Sequence, residues 1–250
     1  MDSKNTNPLL TLPSAIVIAG TLIAIAVIWT KRTPPVAPMV ATPSLPAQVA
    51  MAPITSTDHI LGNPNADVKI VEYSDPSCPY CKMFNPVMEQ IMNAYGPSGK
   101  VAWIYRHFPL DKPDSNGNVL HKNAGHEAMG LECAASIGGN DKFWAYEKEW
   151  YDIFPDNGQN QPITADNALM LKVAKDSGIT TAAFSDCVSS GQFKTKIDQE
   201  YLDGVNAGIT GTPYSVLITP SGTKIPLVGS QDYSTLKQTI DVLLSPPQSQ

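Results

Sequence analysis

Val68-Lys69-Ile70-Val71-Glu72-Tyr73-Ser74-Asp75-Pro76-Ser77-Cys78-Pro79-Tyr80-Cys81 is the stretch on which the fold of this chain turns. Its first half is an apolar, strand-like run. Its last four residues open a segment in which Met83, Phe84, Val87, Met88, Ile91 and Met92 recur at helical spacing. A thiol at a helix N-terminus meets unsatisfied backbone N–H groups and the positive end of the macrodipole. Both favour the thiolate, so Cys78 is expected to titrate below the free-thiol value of about 8.5. The two intervening residues let Cys81 reach back and close a small disulfide ring. Strand, CxxC and helix in that order read as a redox motif. A structural zinc site is the competing reading, but a tetrahedral site needs two further ligands, usually closely paired. Cys133, Cys187, His59, His107, His121 and His126 supply no such pair, so no metal is expected.

Outward from this stretch, Lys100–His107 reads as a second strand (Val101, Trp103, Ile104, Tyr105). Strand, helix and strand with a connection of this length imply a right-handed parallel βαβ unit. Near the C-terminus, Tyr214–Thr219 reads as a strand, Pro220-Ser221-Gly222 as a turn and Lys224–Val228 as its antiparallel partner. A helix over Asp232–Leu244 closes the chain. Between them the apolar residues fall at three-to-four spacing in five blocks: His121–Ile137, Lys142–Phe154, Ala165–Ser177, Thr181–Val188 and Gln192–Ala207. A βαβ half, an all-helical insertion over about 115–207 and a ββα half make an α/β, thioredoxin-like fold spanning 58–245, with a short tail at 246–250. The aromatics Phe143, Trp144, Tyr146, Trp150, Tyr151 and Phe154 read as helix-packing residues, and His107 and His126 as structural histidines.

The 250 residues are 42% hydrophobic and 16% charged, with a net charge of -6, and show no nucleic-acid footprint. After a short tail, 1–11, no charged residue occurs from Leu12 to Trp29. About 18 to 20 apolar residues span a bilayer core. Lys31-Arg32 and Pro34-Pro35 follow, and small-residue patterns lie too far downstream for signal cleavage, so 12–30 reads as an uncleaved transmembrane anchor. Residues 31–57 hold six prolines (Pro34, Pro35, Pro38, Pro43, Pro46, Pro53) and read as a semi-rigid stalk that is no dimerisation domain, which makes a monomer the expectation.

The segment Glu72–Cys81 resembles the active-site segment of DsbA-like thiol–disulfide oxidoreductases. Tyr105-Arg106-His107-Phe108-Pro109-Leu110 resembles that family's second strand and its exit, and Gly211-Thr212-Pro213 is similar to its cis-proline loop. The resemblance covers nearly all of Asp58–Leu244 in the right order. It implies that Cys78 is the nucleophile, Cys81 the resolving thiol and Pro213 a cis residue facing them. Thr212 and Pro213, with Pro79 and Tyr80, are then the expected substrate-binding residues: a cis X–Pro bond exposes the preceding backbone to an extended peptide. Glu72 sits by alternation on the strand's inner face beneath Cys78, where the family's buried acid lies. Burial would raise its pKa and let it exchange a proton with Cys81. A Glu72 pointing to water is the competing reading. At Tyr80 the chain departs from the strongly oxidising member, which has His there; a neutral Tyr80 implies a milder oxidant. The threonine before Pro213 is more typical of the isomerase branch, which leaves oxidation, isomerisation and reduction all open.

If Cys78 pairs with Cys81, Cys133 and Cys187 remain, and similar second pairs in DsbA-like proteins make a structural disulfide admissible beside the alternative of two free thiols. Lys31 and Arg32 after the anchor slightly favour a cytoplasmic domain, but long domains translocate largely regardless of such differences. Persistent disulfides favour an oxidising compartment. The expectation is therefore a single-pass membrane protein with its catalytic domain outside the cytoplasm. It would act on cysteine-containing substrate proteins and be reset by a membrane thiol oxidase or other redox partner, with no cofactor of its own. A non-redox protein-binding module is the alternative from a different class.

Overall fold

In the computed structural model, which describes residues 49–113, 116–153 and 165–245, the CxxC stretch begins as a strand and ends as a helix. In chain order the elements are β1 (His59–Gly62), β2 (Val68–Ser74), α1 (Pro79–Tyr95), β3 (Val101–His107), α2 (Ala124–Gly138) and α3 (Asn140–Asp152). They continue with α4 (Asn167–Asp176), α5 (Thr181–Ser190), α6 (Lys194–Asn206), β4 (Tyr214–Ile218), β5 (Lys224–Val228) and α7 (Tyr233–Leu244). The fold is thioredoxin-like and mixed α/β. The tail 1–11, the expected span 12–30, the stalk up to residue 48 and the tail 246–250 lie outside the described residues. Among the described residues no helix is long and apolar enough to cross a membrane.

The sheet runs β1-β3-β2-β4-β5. β2 lies at its centre, parallel to β3 (Val68 opposite Val101) and antiparallel to β4 (Tyr73 opposite Tyr214). β1 escapes the sequence reading because its four residues are too few to show alternation. It pairs antiparallel with β3 and stops at Gly62, where φ is 95° and a Cβ would lie 2.9 Å from the Val101 carbonyl oxygen.

Alternation along β2 sends Val68 and Ile70 to one face and Val71 and Tyr73 to the other. The first face is covered by Phe84, Met88 and Ile91 of α1 and by Leu236 and Ile240 of α7. The second packs with Ile104, Phe108, Ile209 and Val216, and also with Val49 and Met51. This corrects the stalk boundary expected at Thr57. Val49 and Met51 are each 7% exposed, and burying side chains of that size contributes about 1.5–3 kcal/mol apiece. Arg106 fixes the segment by donating to the Ala52 and Pro53 carbonyls, each at 3.0 Å, and by pairing with Asp58 (2.8 Å) and Asp203 (2.7 Å). The packed domain thus begins by Val49 rather than Asp58.

The insertion follows its predicted blocks with shifted ends. The first helix starts at Ala124 rather than His121, and Phe154 lies outside the described residues. Asp166 caps α4 through the Leu169 amide, and Asp232 caps α7 through the Thr235 amide. A disulfide joins Cys133 on α2 to Cys187 on α5. Helix α6 approaches the sheet so closely that a Cβ on Gly204 would stand 2.5 Å from the Phe108 ring.

Candidate active site

β2 ends at Ser74, and residues 75–77 carry the chain over its edge to α1. Cys78 is the N-cap of that helix in extended geometry, with Pro79 at the first helical position, where a missing N–H costs nothing. The Cys78 amide donates to the Asp75 carbonyl at 2.9 Å, which closes the turn. The insertion holds the same loop from outside: Trp150 Nε1 donates to the Pro76 carbonyl at 3.0 Å and the Tyr151 hydroxyl to the Asp75 carbonyl at 3.2 Å. No side chain caps α1, so its first amides are left to the Cys78 sulfur.

Both cysteines are reduced and buried. The Cys78 thiol donates to the Thr212 carbonyl at 3.4 Å, and the Thr212–Pro213 bond is cis. Hydrogen bonding from Cys81 lowers the Cys78 thiol to about 6, against the opposing effect of burial. Burial pushes the Cys81 thiol well above its ordinary range, and the neighbouring Cys78 adds to the effect. The two sulfurs therefore divide the work that an exchange reaction needs: one ionised at neutral pH, the other holding its proton.

Glu72 is 2% exposed and faces the α1 side of the sheet, where Trp103 Nε1 donates to its Oε2 at 2.9 Å. Burial raises its carboxyl to about 7, so it can give or take a proton near neutrality. Glu147 is a second buried acid. Asn85 Nδ2 donates to its Oε1 at 2.5 Å, and burial holds it well above the usual carboxylate range, with the charge of Glu72 adding to the rise. Beside the cysteines a groove of about 700 Å³ is lined by Tyr80, Met83, Val87, Thr212 and the loop Gly229–Asp232. Tyr80 and Met83 are each 46% exposed there, an apolar rim next to the thiol.

A family model described as thioredoxin matches residues 54–242. The chain belongs to the thioredoxin family. Among relatives, a Rickettsia prowazekii protein named as a protein-disulfide oxidoreductase is 27% identical over 107 residues, 42% of this chain. The match spans only 39% of that relative's length. Bacillus cereus disulfide bond formation protein D is 26% identical over 195 residues, covering 74% of this chain and 78% of the relative. The crystal structure of Pseudomonas aeruginosa DsbA2 superposes with a TM-score of 0.59 at 23% identity, over 79% of this chain and 100% of that one. That likeness shows a shared DsbA-like fold.

Cys78, Cys81, Glu72, Pro79, Tyr80, Thr212 and Pro213 converge at one end of the sheet, whereas Cys133 and Cys187 lie within the insertion. Among the described residues, the one grouping with metal-ligand geometry is His107, Glu132 and Glu200, and it includes neither Cys78 nor Cys81. Sequence reasoning missed Glu147, although it shares a helical face with Phe143, Tyr146 and Trp150. It also gave Asp75 no role and considered His121 only among the histidines set aside as zinc ligands.

Proposed function

We propose that this chain is a membrane-anchored thiol–disulfide oxidoreductase that oxidises cysteine pairs in extracytoplasmic proteins through Cys78 and Cys81. The observation that carries it is the Cys78 sulfur, lowered to about 6, lying against the Thr212 carbonyl beside cis-Pro213 while Cys81 is buried behind it. In the oxidised protein a substrate thiolate attacks Cys78 Sγ, and Cys81 leaves as a thiolate. Glu72, poised near neutrality, returns a proton to Cys81. A second substrate thiolate then attacks the substrate sulfur of the mixed disulfide and expels the Cys78 thiolate. Two electrons pass from the substrate dithiol to the enzyme pair, and a membrane thiol oxidase, quinone-linked or of another kind, removes them.

Substrate binding follows from the groove. Once the Cys78 thiol becomes part of a mixed disulfide, the Thr212 carbonyl is released to pair with the main chain of an extended peptide. Tyr80 and Met83 line the groove with Pro79 beside them at the start of α1, and apolar contact there tolerates many sequences. Tyr80 brings no charge between the cysteines, so the couple is a mild oxidant and isomerisation is the second reading. The protein acts as a monomer, held to the membrane by residues 12–30 with Cys133–Cys187 as its structural disulfide.

The test is alkylation of the reduced protein with iodoacetamide as a function of pH, with each cysteine followed by mass spectrometry. Cys78 reacts with a midpoint near 6. Cys81 reacts slower at neutral pH by on the order of 100-fold, because its thiolate is scarce and buried. Equal rates, or faster labelling of Cys81, contradict the assigned roles.

A further inference from the structure

We propose that His121, through its hydrogen bond to the buried carboxylate of Asp75, is a positioning residue that fixes the redox poise of Cys78 and Cys81. The inference rests on the thiol–disulfide reading above and adds a residue that the exchange steps do not touch.

Asp75 is wholly buried and is the hub of the loop leading into the motif. Its backbone reaches both cysteines: its N–H approaches Cys81 Sγ at 3.5 Å and its carbonyl accepts from the Cys78 amide at 2.9 Å. Its carboxylate is held just as firmly. Oδ1 accepts the Ser77 amide at 2.7 Å, and Oδ2 accepts the Leu110 amide at 2.8 Å and faces His121 Nδ1 at 2.7 Å. An anion this close to two sulfurs opposes ionisation of either, and the Asp75 charge bears on both thiols in that sense. An imidazolium on its outer oxygen cancels that opposition.

The surroundings of His121 favour its charged form. Burial works against it, but the hydrogen bond and charge of Asp75 outweigh burial and raise its pKa, with the Cys78 thiolate adding to the rise. Coupling is reciprocal: a thiolate that favours the imidazolium is favoured by it to the same extent. The groups facing the pair are Cys78 at the N-cap of α1, Cys81 within that helix, Glu127 from α2 and Tyr151 from α3. Glu127 accepts from the Ser77 hydroxyl and from the Ala165 amide at 3.0 Å, and burial lifts its carboxyl to about 6. Near that value it bears at most one more negative charge, so a neutral His121 would leave Asp75 uncompensated. Tyr151 contributes only its hydroxyl, donated to the Asp75 carbonyl. Since Tyr80 supplies no cation from within the motif, the cation comes from beneath it.

The experiment uses the reduced full-length protein, with Cys78 followed by its ultraviolet thiolate absorbance against pH and by equilibrium with glutathione. In His121→Asn the amide nitrogen replaces Nδ1 as a donor to Asp75 but carries no charge. The Cys78 midpoint then rises by about one pH unit, and the glutathione equilibrium moves severalfold toward the disulfide form. Adding Asp75→Asn to His121→Asn removes both charges and returns the midpoint toward that of the unmodified protein. A midpoint unmoved by His121→Asn, or a double variant no nearer the starting value than the single one, overturns the inference and leaves the exchange reading standing. Without any substitution, NMR titration of His121 gives a lower midpoint once Cys78 is carboxamidomethylated. No change on alkylation overturns the inference as well. Failure of the unmodified protein to exchange with glutathione overturns the proposed function itself.

Discussion

Glu72→Gln stabilises the reduced protein at about pH 8 by about 3 kcal/mol and leaves it unchanged below about pH 4. Burial raises the Glu72 carboxyl from 4.5 to about 7, so the native state keeps a proton that the unfolded chain has already released. Stability from this group is complete below the unfolded value and is lost as pH rises through the folded one. The window of about 2.5 pH units, at about 1.4 kcal/mol each, sets the magnitude. Glutamine keeps an oxygen for the Trp103 N–H and never ionises, so the loss disappears. Urea unfolding of both proteins at the two pH values checks it, and a difference that does not depend on pH contradicts a buried, raised carboxyl. Under the proposed exchange steps the same substitution also removes the proton donor to Cys81, so the stability gain is accompanied by slower release of Cys81 during exchange.

Converting Cys133 and Cys187 together to Ala lowers stability by about 4 kcal/mol. The bridge closes a separation of 54 residues from α2 to α5, and loop-closure entropy for that length gives this figure in the chain-entropy picture. Both cysteines are buried in the helical core, with Cys133 wholly inaccessible, so the lost sulfurs add a small packing defect in the same direction. Denaturant unfolding of the double variant beside the unmodified protein, with Cys78 and Cys81 reduced in both, reads the difference. A change below about 1 kcal/mol would mean that the insertion is held by its helix packing alone.

Much of the fold could be read from periodicity. Val68–Ser74 and Val101–His107 alternate or run apolar over seven residues each, long enough for a strand signal, whereas His59–Gly62 is not. The stalk was misjudged for a compositional reason. Proline between 31 and 57 forbids helix but does not forbid docking, and the apolar Val49 and Met51 find a place on the face of the sheet that carries Val71 and Tyr73. The sulfurs were legible from local spacing and the inward face of Glu72 from strand alternation, whereas the loop before β4 was legible only through its resemblance to the cis-proline loop of a known family. Asp75 and His121 were not, since 46 residues separate two groups that only the folded chain brings to 2.7 Å. Glu127, Glu132 and Glu147 were hidden among apolar helix residues. Their burial is stabilised by partners such as Ser77, His59, His107, Lys196 and Asn85, which no helical pattern specifies.

The most direct measurement is of electron transfer at stoichiometric concentration. Oxidised protein is mixed with a reduced, unfolded peptide bearing two cysteines, quenched in acid and mapped by mass spectrometry. The account predicts one peptide disulfide formed per protein, Cys78 and Cys81 recovered as thiols, and Cys133–Cys187 intact. A peptide left reduced, or electrons recovered at Cys133 and Cys187 while Cys78–Cys81 stays closed, would contradict it.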